Sequence, residues 1–111
     1  MSDKPVITRD AERLLSRLYA LYVRRRRDGR PEQTARYIGD TYDVIRLLSL
    51  DMDEEKVTDL LFELGHSDYL DVLCADDIAN ECTLTSFAIA TMENRLKDGV
   101  KDFVDLAAKL I

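Results

Sequence analysis

The sequence predicts a mainly helical domain with one small β-ribbon, and three observations lead to this prediction. Most of the chain repeats its apolar residues at the three- and four-residue spacing of amphipathic helices. Only residues 69–84 look strand-like, and turn-forming acids divide them. Helical patterns run into this stretch and leave it again. The order helix, tight turn, short β-ribbon, helix is that of a winged helix-turn-helix with its wing. We therefore expect 1–111 to form one such domain, with a long N-terminal helix and an extra C-terminal helix.

The N-terminal helix is predicted to fill most of 8–28. Thr8 is a suitable N-cap, and Asp10 follows in the first turn, where negative charge suits the helix dipole. The run Arg24–Arg27 suits the opposite end, and Gly29 stops the helix. Apolar residues fall on more than one side of this helix, which indicates that it is buried on more than one side.

The helix-turn-helix region is predicted at 31–65. A short helix is expected over 31–38 and a second over about 42–50, with residues 50–53 as the turn. The last helix of the region should run over 54–64 and end at Gly65 as its C-cap. The predicted N-caps of the second and third helices are Asp40 or Thr41, and Asp53.

The wing is predicted as strands 69–75 and 78–84, joined by a turn. Cys74 and Cys82 could face each other across this ribbon, although a cytosolic protein would keep them as small buried thiols.

The C-terminal helices are predicted over 85–111. Thr85 should cap the first of them, Asp98-Gly99 should interrupt it, and a last amphipathic helix should follow from Val100.

Charge is divided unevenly along the chain. The net charge is −6, but residues 1–50 hold eleven Lys/Arg against seven Asp/Glu, whereas 51–111 hold five against fifteen. A molecule polarised in this way presents a basic end and an acidic face, so its average charge is a poor guide to its partners.

Several short motifs carry a family resemblance over about residues 35–111. They are Phe62-Glu63-Leu64, Tyr69-Leu70, Ala75-Asp76-Asp77, Leu84-Thr85, Ala88-Ile89 and Met92-Glu93-Asn94-Arg95. The chain resembles small winged-helix proteins of Gram-positive bacteria and their mobile elements, loosely the YjcQ-like group. Such proteins commonly have Gly-Tyr-Leu where this chain has Ser67-Asp68-Tyr69-Leu70. The resemblance implies the winged-helix fold and leaves the activity open.

The candidate nucleic-acid site is a cluster of six arginines, which we call the arginine end. They could make salt-dependent contacts to phosphates. The alternative is a solvated helix end that also pairs with the acidic face of a neighbouring subunit. The arginine end consists of Arg24, Arg25, Arg26, Arg27, Arg30 and Arg36.

The candidate protein-interaction site is the acidic third helix of the region together with the wing turn. From Asp51 to Glu81 the chain carries eleven acids and one base, where a winged helix would meet DNA. Phosphates would be repelled there, so a basic protein surface is the expected partner. The candidate residues are Glu54, Glu55, Asp59, Glu63, Asp76 and Asp77.

The apolar faces of the terminal helices look too wide for one small domain, which predicts a homodimer. The alternative is that these helices pack on each other within one subunit. The candidate interface residues are Leu14, Leu18, Leu21, Phe103, Leu106 and Leu110.

No enzyme is predicted, because the chain has no phosphate-binding loop, no nucleophile with an activating partner and a single histidine, His66. We also expect no cofactor and no metal site. No apolar run reaches the roughly 20 residues that span a bilayer, and no signal-peptide core follows the N-terminus. A cytoplasmic protein without membrane contact is therefore expected.

Two functional hypotheses remain. The first is a transcription-regulator-like protein of unassigned target that binds DNA through the arginine end, or through a dimer that hides part of the acidic face. The second is a protein–protein interaction module, of phage or mobile-element type, that acts through its acidic helix and wing. The fold favours the first hypothesis and the charge distribution favours the second.

Overall fold

The computed structural model describes residues 7–75 and 78–95. It is mainly helical with a small antiparallel sheet, as predicted, and β3 lies between β1 and β2. No helix within the described ranges combines the length and the apolarity needed to cross a bilayer. The elements are α1 (Arg9–Arg27), α2 (Glu32–Arg36), β1 (Tyr37–Gly39), α3 (Thr41–Leu48), α4 (Glu54–His66), β2 (Leu70–Ala75), β3 (Ile78–Leu84) and α5 (Ser86–Arg95).

Helix α1 begins and ends where the sequence predicted. The Thr8 hydroxyl accepts a hydrogen bond from the Ala11 amide at 3.3 Å, which satisfies one of the free donors of the first turn. The chain leaves the helix at Asp28 and turns at Gly29, whose φ of 89° suits glycine. The helix is buried on more than one side, through Ala11, Leu14, Leu15, Leu18, Tyr19, Ala20, Leu21 and Tyr22.

A third strand, β1, occupies a position where the sequence predicted helix. Helix α2 ends at Arg36, and Tyr37–Gly39 pairs with the central strand β3. Three residues are too few to show the alternation that marks a strand. Gly39 has φ of 111°, and a Cβ at this position would collide with the Asp43 carboxylate. Gly39 therefore permits the turn from β1 into α3.

Helix α3 has a capping box at its start. The Asp40 carboxylate accepts from the Asp43 amide at 2.8 Å, and the Asp43 carboxylate accepts from the Asp40 amide at 3.1 Å. Each acid thus satisfies a backbone donor of the other. The helix ends at Leu48, two residues earlier than predicted, because Ser49 adopts a left-handed conformation with φ of 51°.

Helix α4 continues to His66, so the prediction of Gly65 as its C-cap was wrong. The left-handed residue is Asp68, with φ of 65°, three positions further on. A Cβ on Gly65 would lie 3.0 Å from Val72 Cγ2. This glycine therefore serves the close packing of α4 on β2 and not the end of the helix.

The ribbon forms as predicted, but the two cysteines do not face each other. Val72 lies opposite Cys82, and Cys74 lies opposite Ala79 after a shift in register. Cys82 is buried and Cys74 is exposed, so only one of them is the small buried thiol that was expected. The wing turn at 76–77 lies outside the described residues.

Three of the six residues predicted for a dimer interface lie inside the chain. Leu14, Leu18 and Leu21 are at most 6% exposed and belong to one core cluster with residues of α4, β3 and α5. Their wide apolar face is covered within the subunit, so the prediction of a dimer contact through them was wrong. The other three, Phe103, Leu106 and Leu110, lie outside the described residues, as does the predicted last helix.

Candidate functional site

Helix α4 is held by a buried polar contact as well as by its apolar face. The hydroxyls of Thr41 and Thr58 are 2.9 Å apart, and the Thr41 hydroxyl also donates to the Ala79 carbonyl at 3.4 Å. Both threonines are buried. Because buried polar groups favour one satisfied geometry, these bonds join α3, α4 and β3 in a fixed arrangement. The outward face of α4 is thereby fixed as well.

The outward face of α4 carries three acidic side chains. Glu54, Glu55 and Asp59 are exposed, and none of them forms an ion pair within the described part of the chain. Lys56, the one base of this helix besides His66, instead lies 3.3 Å from Asp10 of α1. This face therefore presents uncompensated negative charge to solvent.

Glu63 has a different role from the other predicted acids. Its carboxylate accepts from the Thr8 amide at 2.5 Å and from the Thr8 hydroxyl at 2.9 Å. These bonds tie α4 to the start of α1. Glu63 is therefore a structural contact, whereas Asp76 and Asp77 lie outside the described residues.

A groove of about 410 Å³ runs along the acidic face, and we call it the α4 groove. Its apolar surface comes from one residue of α3, one of α4 and one of β3. Tyr42 is half exposed, and Phe62 and Ile78 are half buried. The complete lining is Tyr42, Glu54, Glu55, Thr58, Asp59, Phe62 and Ile78.

Tyr42 interacts with the acidic face. The Glu54 carboxylate, through its interaction with the phenol hydroxyl and through its charge, raises the pKa of Tyr42, so the neutral phenol is favoured. Tyr42 and Glu54 both line the groove, which therefore combines an aromatic ring with carboxylates.

Sequence reasoning found the acids of the groove and missed its apolar residues. Tyr42 was placed only as the start of a helix, and Phe62 and Ile78 only within motifs and strands. One signal was present: Tyr42 lies off the apolar face that Val44 and Leu48 define. The position of Ile78 opposite α4 depends on how the ribbon folds back, and no local pattern specifies that.

The arginine end is partly used to hold the fold together. Arg25 donates to the carbonyls of Tyr37 at 2.6 Å and Ala35 at 3.5 Å. Burial, followed by the nearby charge of Arg30, lowers the pKa of Arg25. Arg36 donates to the Ser86 hydroxyl at 3.0 Å and pairs with Glu32 at 3.1 Å.

The remaining arginines are more accessible. Arg26 donates to the Arg30 carbonyl at 2.9 Å. Arg24, Arg27 and Arg30 are exposed, and their side chains have no ion pair or hydrogen bond to the described residues. Of the six predicted phosphate-binding residues, these three are the ones that remain available to a ligand.

The chemistry of the other reactive groups is limited. Burial raises the pKa of the Cys82 thiol to about 12, which keeps it protonated at neutral pH. His66 is exposed at the end of α4. In residues 7–75 and 78–95, no three His, Cys, Asp or Glu side chains converge in a way that could hold a metal ion.

No protein-family model, curated protein or solved structure matches the chain.

Proposed function

We propose that this chain is a non-enzymatic winged helix-turn-helix recognition module of the transcription-regulator type. The observation that carries the proposal is strand β1, which lies between α2 and α3 and pairs with the ribbon strand β3. Together with the short α3–α4 connection, it gives the element order that winged-helix proteins use. The resemblance to YjcQ-like proteins points in the same direction.

In a winged helix, the second helix of the motif is the element that recognises the partner. Here that helix is α4, and the Thr41–Thr58 contact fixes it against α3. The ribbon follows α4 directly and would be the wing. A rigid helix beside a ribbon supports recognition better than a loop would.

Double-stranded DNA is the first candidate partner, and it would bind at the arginine end. Arg24, Arg27 and Arg30 are exposed and uncommitted, so each can approach a phosphate. Three phosphate contacts would give a slope of about −2.7 in log affinity against log salt. DNA is not expected on α4, because Glu54, Glu55 and Asp59 would repel its backbone.

A basic protein surface is the second candidate, and the unpaired carboxylates of α4 favour it. The three acids carry no ion pair of their own among the described residues. A cationic partner would therefore gain charge pairs without breaking existing ones. This candidate uses the acidic face of α4 and leaves the arginine end free.

The two candidates are separated by fluorescence anisotropy of a labelled mixed-sequence duplex over a salt series. We expect R24A/R27A to weaken binding and to reduce the salt slope by about 2, because two phosphate contacts are lost. The matched control is R9A/R13A, which removes the same charge from exposed residues at the other end of α1.

Equal losses in the two variants would show that only net charge matters and that the arginine end is not the site. Absence of binding at low salt would contradict the DNA candidate. The protein candidate would then be the remaining use of the proposed fold.

A further inference from the structure

We propose that the α4 groove binds an arginine- or lysine-bearing segment of another protein. The inference rests on the winged-helix proposal only in using α4 as the recognition element. It identifies the partner by its chemistry, namely a cation on a long aliphatic stem.

The charge of the groove favours a cationic ligand. Glu54, Glu55 and Asp59 lie on the same helix and share the groove, and none of them forms an ion pair within the described residues. Glu55 and Asp59 are four residues apart, a spacing at which like charges on a helix repel each other slightly. A bound cation relieves this repulsion and also speeds association by steering.

The same groove also has an apolar surface. Tyr42 is half exposed and Phe62 and Ile78 are half buried, so all three offer ring or aliphatic carbon to the groove that the acids also line. Small inorganic cations gain nothing from such a surface. Arginine and lysine do, since their methylene stems cover apolar surface while the charge remains among polar groups.

Tyr42 adds an aromatic ring to the same site. Its side chain is half exposed and lines the groove together with Glu54, Glu55 and Asp59. A guanidinium or ammonium group near an aromatic face and a carboxylate gains from both. The ring and the acids therefore favour the same kind of ligand.

The size of the groove agrees with a side-chain-bearing segment. About 410 Å³ accommodates a few side chains and is too small to bury a folded surface. The groove lies between α3, α4 and β3, which the bonds of Thr41 hold together. The groove is therefore preformed, and little ordering is needed on binding.

The probe for the test is a fluorescein-labelled synthetic peptide of alternating arginine and leucine, measured by anisotropy at low salt. A peptide with citrulline in place of arginine keeps the shape and removes the charge. We expect the arginine peptide to bind and the citrulline peptide to bind roughly tenfold more weakly, the effect of a few exposed charge pairs.

The variant that tests the site is E54Q/E55Q/D59N, which removes three charges and retains the side-chain sizes. Its matched control is D71N/E81Q/E93Q, which changes the net charge equally at exposed acids outside the groove. We expect roughly tenfold weaker peptide binding for the first variant and about twofold or less for the control, because screening limits remote charges.

Y42A tests the aromatic contribution. Tyr42 is half exposed, so the fold should survive its replacement, and peptide affinity should fall about fivefold through loss of the ring face. Unchanged affinity in Y42A together with equal losses in the two triple variants would overturn the proposal.

Sedimentation velocity of the unlabelled chain at low salt separates a foreign partner from a second copy. A monomer that binds the peptide supports the proposal. Self-association that E54Q/E55Q/D59N abolishes would overturn it, because the arginine end of another copy would then occupy the groove. DNA binding and its R24A/R27A dependence are independent of both results, so failure of this inference is distinguishable from failure of the proposed function.

Discussion

The arginine end and the acidic face of α4 look alike in sequence, as dense runs of one charge, but the structure uses them differently. Three of the six arginines, Arg25, Arg26 and Arg36, donate to backbone carbonyls or to a neighbouring helix. On α4 Glu63 is used in a similar way, and Glu54, Glu55 and Asp59 form no ion pair in the described chain. A cluster of like charges in the sequence therefore predicts more ligand-binding residues than the structure leaves free, because the fold itself uses some of them.

The reason lies in the donor and acceptor geometry of the two side-chain types. Arginine has five donors on a long side chain and can reach backbone carbonyls that a turn leaves unsatisfied. The short helix α2 and the start of β1 supply such carbonyls at Ala35 and Tyr37. A carboxylate only accepts. In the first turn of α4, where Glu54 and Glu55 lie, the Asp53 side chain already accepts from the Lys56 amide. Glu63 instead meets the amide and hydroxyl of Thr8 at the start of α1.

The largest expected effect concerns Arg25. Arg25→Ala should lower the free energy of unfolding by about 2 kcal/mol, because carbonyls of Ala35 and Tyr37 lose their charged donor. Arg27→Ala, an exposed neighbour of the same charge, should change it by less than about 0.5 kcal/mol. Urea unfolding at constant pH measures both. Equal effects of the two substitutions would remove the distinction between structural and free arginines.

The next effect concerns the acids of α4. Glu63→Gln should cost about 1 kcal/mol of unfolding free energy, because the Thr8 amide and hydroxyl lose an ionised acceptor. Glu55→Gln on the same helix should be nearly neutral. Thermal unfolding followed by circular dichroism compares the stabilities of the two variants. A larger loss of stability in Glu55→Gln than in Glu63→Gln would contradict the structural role given to Glu63.

The smallest effect concerns Asp43, whose carboxylate belongs to the capping box of α3. The backbone amide of Asp40 is the main cause that lowers the pKa of Asp43, and the Arg46 side chain adds to it. Stability from the ionised form is thus present above the ordinary aspartate pKa of 3.8 and is lost as the pH falls through the lowered value.

Asp43→Asn should therefore cost roughly 0.5 kcal/mol at neutral pH, where the charged hydrogen bonds are lost. Below the lowered pKa the wild-type chain has lost the same contribution, so the two curves should converge. Chemical unfolding from neutral pH downwards tests this, and a constant gap at all pH values would assign the cost to something other than ionisation.

Structural features that depend on neighbouring residues were predicted from the sequence, whereas features that depend on contacts between separate elements were not. The ends of α1, the N-caps Asp40 and Asp53, and the strands of the ribbon were predicted within a few residues, because caps and periodicity act over one or two turns. Strand β1 was missed because its pairing partner lies more than forty residues away along the chain. Gly65 was assigned to the end of a helix because its close neighbour Val72 belongs to another element, and the sequence pattern does not show contacts between elements.

The candidate site shows the same division. The sequence alone determined that α4 is acidic and amphipathic and that the arginines gather near the end of α1. Only the tertiary structure decided which of these charges are free, because Arg25, Arg36 and Glu63 meet partners that are distant in sequence. The tertiary structure also places Tyr42 and Ile78 beside α4, where they help to form the groove. Charge and periodicity are properties of residues and their near neighbours, whereas pairing, burial and grooves arise when distant segments pack.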